Sequence, residues 1–395
     1  MKFCVVIMDG ASGWPIPECG NKTSLEIAKT PNLDAVAQES YMGMVRTVPR
    51  GMEPSSACAC MSVMGYDPVV YYRGRSAIEA RSMGIPINEG EVVFRCNLVT
   101  VIDGKMASYS AGHITTEEAR AIIATLNGKL GSDLVSFFPG VSYRHICKLK
   151  GREDALKAVC TPPHDITDKL VAEFLPHGEG SHYLRELMKK SEPVLLDHPG
   201  NLERKKNSRL PATTIWLFWG SGQIPEMPPF KKAYGLRAVM TSGVDLLRGL
   251  AIMADIEILQ IAGVTDGLDN DYAAQAEGAL KSLERNDLAI LHIEAPDEMA
   301  HRGSADDKVK AIELIDKEVI GRLLSWKKDA IKILVMPDHP TPIKLKTHCD
   351  DPVPFLIWGK GVKHNGGRRF TEDEAKKTGV KVEPGFKLMQ RFVKY

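Results

Sequence analysis

Four places in the chain combine residue types that could bind metals or phosphate. Asp9 and Gly10 directly follow an apolar run at residues 3–8. Ligands of parallel sheets gather beyond the carboxyl ends of the strands, so an acid there is a candidate metal ligand. Asp-Gly is equally a common turn pair. Asp297 and His301 are four residues apart, behind a second apolar run, AILHI at 289–293. If Pro296 begins a helix, both side chains lie on one face of it. A carboxylate and an imidazole so placed can share a divalent cation; the plain alternative is a helix-start acid and an exposed histidine. Asp338 and His339 follow a third run, IKILVM at 331–336, and His348 lies in the loop before the run 353–358. Neighbours on an extended strand face opposite ways, but a turn at the strand end can present both. Ser56 sits in PSSACAC at 54–60, ahead of helical-looking residues. A helix N-terminus favours an oxyanion or phosphate, although Ser55 or Ser56 could be a simple N-cap. Cys58 and Cys60 form a C-x-C pair with no partner pair, a poor zinc pattern, and read as buried thiols.

The elements that must position these residues alternate. The strand-like run 3–8 leads into a helix opened by Thr30-Pro31-Asn32. The runs 289–293 and 331–336 flank a helical stretch at 306–324, with Ser304 as cap and Asp306 and Asp307 in the first turn. Strand, helix, strand at this spacing predicts a parallel sheet covered by helices. The middle, 88–212, has shorter runs and more Gly, Pro and His, with one clear helix over 115–126. We read it as a smaller α+β domain inserted into an α/β domain built from 1–87 and 213–395.

Composition narrows the function classes. With 395 residues and 44% hydrophobic content the chain can bury two cores. Lysine and arginine number 51 against 50 acids, a net charge of +1 that gives no support for nucleic-acid binding. Small anionic ligands remain compatible, because local charge binds them. The run 3–8 is too short for a signal-peptide core, and no later run reaches a membrane-spanning length. Eight cysteines without regular spacing point to a reducing compartment, the cytoplasm.

The order Asp9, Ser56, Asp297 with His301, Asp338-His339, His348 resembles that of the alkaline phosphatase superfamily. More closely, the chain resembles the archaeal-type, cofactor-independent phosphoglycerate mutases. The likeness runs nearly end to end: LEIAKTPNLD (25–34), MGYDPVVYYRGRSAIEA (64–80), SAGHITTEEA (110–119), FPGVSYRHI (138–146), LDHPGN (196–201), HIEAPDEMAH (292–301) and PDHPTP (337–342). The resemblance implies an alkaline-phosphatase-like sheet and two divalent metals, manganese or magnesium, with zinc or cobalt as alternatives. Asp297, His301 and His348 would hold one; Asp9, Ser56, Asp338 and His339 would hold the other. Ser56 would be the nucleophile that takes a phosphoryl group and returns it to the other hydroxyl of glycerate. The substrate would be a small phosphorylated carboxylate. The inserted domain would supply cations for it, with Arg75, Arg95, Arg144 and Arg204 as candidates, and His113 or His164 as a proton relay.

The chain departs from the family beside the nucleophile. The family usually shows a run such as Gly-Ser-Asp-Thr-Ala-His. Here Ala57 stands at the Asp position and Cys60 at the polar one, and the family's Lys-Tyr-Gly is altered to Ala233-Tyr234-Gly235, with Lys232 one position earlier. The metal set persists, but the pocket beside the serine is changed. Two other reactions therefore stay open: phosphoryl transfer to a different acceptor, as in a homoserine kinase, and metal-dependent phosphate hydrolysis.

Overall fold

A strand buried on both faces belongs in the middle of a helix-covered parallel sheet. The computed structural model, which describes residues 1–326, 328 and 330–395, places the run 3–8 there. In chain order the strands are β1 (Lys2–Met8) and β2 (Tyr41–Val45). Then come β3 (Glu91–Ile102), β4 (Lys105–Ser108), β5 (Val135–Phe138), β6 (Arg144–Lys150) and β7 (Thr214–Ser221). The last are β8 (Ala238–Thr241), β9 (Glu257–Ile258), β10 (Leu288–Ile293), β11 (Ile331–Met336), β12 (Val353–Gly359) and β13 (Lys381–Val382). The chain folds as two compact units: Met1–Tyr72 with Pro225–Tyr395, and Arg73–Ile224.

The first unit carries an eight-stranded sheet in the order β13-β2-β12-β11-β1-β10-β8-β9. β1 pairs in parallel with both neighbours, Met8 beside Ile293 and Ile7 beside Met336. Continued past the strand ends, this register brings Asp9 level with Glu294 on one side and Asp338 on the other. The sheet core includes Cys4, Val6, Met8, Leu291 and Val335, packed with Leu33, Ala276 and Ile312 of the covering helices. The helical stretch expected over 306–324 comes in three pieces. Ala305–Leu314 is α-helical, Ile315–Ile320 is a π turn, and Gly321–Leu324 is α-helical again. In the π turn, Asp316 accepts from the amides of Asn32 at 3.2 Å and Leu33 at 2.7 Å. It thereby closes the open start of the helix Pro31–Ala37, which its own Thr30 side chain leaves uncapped.

The second unit is antiparallel. β3 pairs with β4, β6 and β7, and β6 pairs with β5. The helices Thr116–Leu130 and Ser181–Leu196 pack Ile122, Leu126, Leu184 and Met188 against Phe94, Cys96 and Leu98. Thr115 and Glu118 form a reciprocal capping box at the start of the first of these helices. The expected boundaries at 87/88 and 212/213 differ from those of the structure, which fall at 72/73 and 224/225. The reason is pairing. β7 runs along β3, with Arg95 opposite Phe218, and the helix Arg75–Ser82 packs Ala77 and Ala80 near Val93 and Ile146. Among the described residues no helix is long and apolar enough to cross a membrane.

Candidate active site

Seven residues singled out above converge at the carboxyl ends of β1, β10 and β11. Gly10 makes the convergence possible. Its φ is +58°, and a Cβ there would run into the side chains of Asp297 and Thr341. The helix Ala295–His301 puts Asp297 and His301 on one face, their Oδ2 and Nε2 atoms 3.0 Å apart. His348 brings its Nε2 within 3.5 Å of the same oxygen. After β11 the chain turns so that Asp338 and His339 both face inward and are fully buried. The Asp338 Oδ1 atom accepts from the amides of Gly10 at 3.1 Å and His339 at 2.7 Å. Ser55, not Ser56, caps the helix Ser56–Val63, accepting from the Cys58 amide. That leaves the Ser56 hydroxyl at the first helical position, 3.2 Å from His339 Nε2.

The proton arrangement tests whether cations fit. His301 Nδ1 lies 2.8 Å from the Lys346 carbonyl, and His348 Nδ1 lies 3.3 Å from the Pro54 carbonyl. A carbonyl only accepts, so both Nδ1 atoms carry hydrogen. In the neutral rings the two Nε2 lone pairs then meet 3.0 Å apart beside an Asp297 oxygen, a gap that either protons or a cation must bridge. A cation fits that gap, and carbonyls fixing the far nitrogen are the usual outer support of metal-ligating histidines. At the other end, Asp9 Oδ1 is buried and has no hydrogen-bond partner among the described residues, with His339 Nε2 3.6 Å away. Asp9, Asp338 and His339 bring ligand atoms within 4.8 Å of one another, as do Asp297, His339 and His348. The residues fit two divalent ions.

With no cation bound, protons on Nε2 of His301 and His348 bridge to Asp297 instead. Burial, then the charges of Asp338 and Asp297, push the Asp9 carboxyl well above the usual range. Burial works against ionised Asp297 too, but hydrogen bonds from His301 and His348 hold it well below that range. The same hydrogen bond pushes His301 up to about 9, whereas burial pulls His339 down to about 4 and keeps it neutral.

Sequence reasoning missed three participants. His292 lies inside β10 and reads there as one more strand residue. It is buried, with Nε2 2.6 Å from Asp9 Oδ2 and Nδ1 3.0 Å from the Ser242 hydroxyl. Glu294 sits against Asp9 and His292, its carboxyl pushed up first by burial and then by Asp9. Thr341 donates to Asp297 Oδ1 and fixes that carboxylate. The expectation of buried thiols holds for Cys58 and Cys60; Cys60 also directs its thiol at Asp338 Oδ2, 3.4 Å away.

The second unit brings some of its candidates together and not others. Glu79 accepts from Arg75 Nε at 3.2 Å and from Arg95 Nε at 2.6 Å, with a second contact to an Arg95 terminal nitrogen. Both guanidinium groups lie over the Trp219 ring, at 4.6 Å and 5.7 Å from its centre. His164 stands 5.8 Å from that ring and 6.2 Å from Tyr109. Arg144 is exposed and lies over Tyr143, which meets Tyr109 edge-on. His113 is exposed in a turn with positive φ. Arg204 corrects an expectation. It is 1% exposed, and its guanidinium is taken up by Glu118 and the carbonyls of Leu210, Ala111 and Gly112. It braces the fold and is not available to a ligand. A cavity of about 900 Å³ in this unit, walled by Leu195, Trp216 and Thr214, includes none of the candidates.

Comparison with known proteins accords with this geometry. A family model described as 2,3-bisphosphoglycerate-independent phosphoglycerate mutase matches residues 37–201. A protein of that name from Methanothrix thermoacetophila is 44% identical over 396 residues, covering all of both chains. A solved protein from Pyrococcus horikoshii superposes with a TM-score of 0.82 at 27% identity, covering 100% of this chain and 96% of its own. The cofactor-independent phosphoglycerate mutase of Thermoplasma acidophilum, at 24% identity and a TM-score of 0.65, shares the fold across 100% and 99% of the two chains. With full-length identity of this order, the chain belongs to the 2,3-bisphosphoglycerate-independent phosphoglycerate mutase family.

Proposed function

We propose that the chain interconverts 3-phosphoglycerate and 2-phosphoglycerate without bisphosphoglycerate, through a phosphoserine at Ser56. The observation that carries this reading is the Ser56 hydroxyl, left unused by the helix cap and placed 3.2 Å from the buried His339. The names of full-length relatives support the substrate. Two divalent ions, when bound, would neutralise charge on the phosphoryl group and lower the pKa of the serine hydroxyl.

The chain's own residues supply the rest. Asp297, His301 and His348 would hold one ion; Asp9, Asp338, His339 and Ser56 would hold the other. Thr341 and the carbonyls of Lys346 and Pro54 keep the donors aimed. Ser56 Oγ would bond to phosphorus as the bond to the glycerate oxygen breaks, the serine proton ending on that departing oxygen. The place of Ser56 at a helix start sets the positive end of the helix dipole against the phosphate oxygens. The glycerate then takes the group back on its other hydroxyl. In the second unit, Arg75 and Arg95 offer the planar, bidentate donors that carboxylates and phosphates take. Arg75 is the more open of the two, its side chain 38% exposed against 8% for Arg95. All eight cysteines are unpaired, which supports a cytoplasmic setting.

The test is chelated protein given 3-phosphoglycerate and manganese, with no bisphosphoglycerate. Formation of 2-phosphoglycerate is expected, lost in Ser56→Ala, with phosphate on the Ser56 peptide after trapping. Release of inorganic phosphate alone would replace the mutase with a phosphatase. Transfer only to homoserine from ATP would replace it with a kinase-like reaction.

A further inference from the structure

The wall of the Asp9 site contains a sulfur atom where the surrounding donors are oxygen and nitrogen. Cys60 is fully buried and lies one turn after Ser56 on the helix Ser56–Val63. Its Sγ is 3.4 Å from Asp338 Oδ2. Ligand atoms of Asp9, Cys60 and His292 all lie within 4.8 Å of one another. Independently of the cysteine, the buried Asp9 Oδ1 has no hydrogen-bond partner among the described residues. The thiol thus lies against Asp338 and within ligand distance of Asp9, a carboxylate with one oxygen left without a partner among the described residues. Cys58, two residues earlier, packs instead with Val48 and Ala59.

We propose that Cys60 is a metal-selecting donor: its sulfur joins Asp9 and Asp338 on the ion beside Ser56 and biases that site toward zinc or cobalt over magnesium or manganese. This rests on the two-metal reading above. Thiolate is a soft ligand that suits zinc and its neighbours, whereas magnesium and manganese prefer oxygen. On ligation the S–H bond breaks, the proton passes to buffer, and the sulfur lone pair goes to the ion; no oxidation state changes. Where Cys60 only donated a hydrogen bond to Asp338, the site would treat these metals as any carboxylate site does.

Cobalt(II) distinguishes the cases by colour. Metal-free protein is titrated with cobalt chloride while absorbance is followed. Expected is a sulfur-to-cobalt charge-transfer band in the near ultraviolet together with the weak visible bands of bound cobalt. Cys60→Ser should lose the ultraviolet band, keep the visible ones, and bind zinc about tenfold more weakly in competition with a chelating dye, or about 1.4 kcal/mol. Its manganese affinity should not change. Cys58→Ser should keep the band. Visible cobalt bands without the ultraviolet band in the unmutated protein would overturn the proposal and leave the two-metal reading standing. No cobalt binding at all would overturn both. The unmutated spectrum decides even if Cys60→Ser fails to fold.

Discussion

Asp9 and Glu79 are both buried carboxylates, and their environments push them in opposite directions. Asp9 stands beside other acids; burial and the charges of Asp338 and Asp297 raise its pKa well above the usual range. Burial also opposes the charge on Glu79, but Arg95 and Arg75 outweigh it and hold the carboxyl below its usual value. Burial alone therefore says little about what a carboxylate does; the compensation around it says more. Acids crowded without counter-charge at strand ends call for a cation from outside. An acid gripped by two arginines serves to aim them.

The sharpest way to break this contrast is to remove each charge while keeping the shape. Asp9→Asn is expected to cut turnover by about 10³-fold or more, a loss of roughly 4 kcal/mol in barrier lowering. In chelated protein at neutral pH the same change should raise stability by about 1 kcal/mol, because a carboxyl whose folded pKa is raised weakens the fold above its usual value. Steady-state rates and denaturant midpoints of chelated samples check both. An unchanged rate would take Asp9 out of the site. Glu79→Gln should behave oppositely, costing about 3 kcal/mol of stability by leaving the buried Arg95 without its counter-charge. A denaturation midpoint equal to that of the parent protein would show that the arginines do not need Glu79. A smaller effect is expected for Arg75→Ala: KM for 3-phosphoglycerate rises about thirtyfold with kcat little changed, as for a lost charged hydrogen bond of roughly 2 kcal/mol. A fall in kcat alone would assign Arg75 a different role.

The two regions were not equally legible. Asp9, Asp297 and Asp338 could be found because apolar runs end at or just before them, and strand ends are where parallel sheets place ligands. His301 followed from helical spacing. His292 could not be found that way: inside AILHI it looks like one more buried strand residue, and only the β1–β10 register shows that it meets Asp9. In the second unit, pairing across more than a hundred residues decides everything. β7 joins β3, and Trp219 reaches Arg75 and Arg95, through contacts that no local pattern announces. Arg204 misled for the same reason. Lying after His-Pro-Gly-Asn in a family-like segment, it looked available, while its real partners are Glu118 and the carbonyls of residues 111 and 112. Local chemistry identifies residues at strand ends, and long-range pairing decides which arginines stay open.

His145 extends the comparison to a buried group that neither crowding nor pairing serves. It is 1% exposed in β6; its Nδ1 accepts from the Gly140 amide at 3.0 Å, and Nε2 has no partner among the described residues. Burial, helped by the Arg95 charge, pulls its pKa down to about 3, so it remains neutral where an exposed histidine would be protonated. The sign follows from linkage. The unfolded chain binds a proton on this residue below about 6.5 and the folded chain does not. Its contribution is therefore complete above about 6.5 and is lost as pH falls toward about 3. Over that window the fold should lose about 1.4 kcal/mol per pH unit from this residue. His145→Asn should flatten that part of the profile, which chemical denaturation at pH 7.5, 5.5 and 4.5 would measure. If both proteins lose stability in parallel, His145 is charged in the folded state and must have a partner. If the mutant profile is flatter, burial with the Arg95 charge holds this imidazole neutral, as burial with its neighbours' charges raises Asp9 and the arginines' charge lowers Glu79.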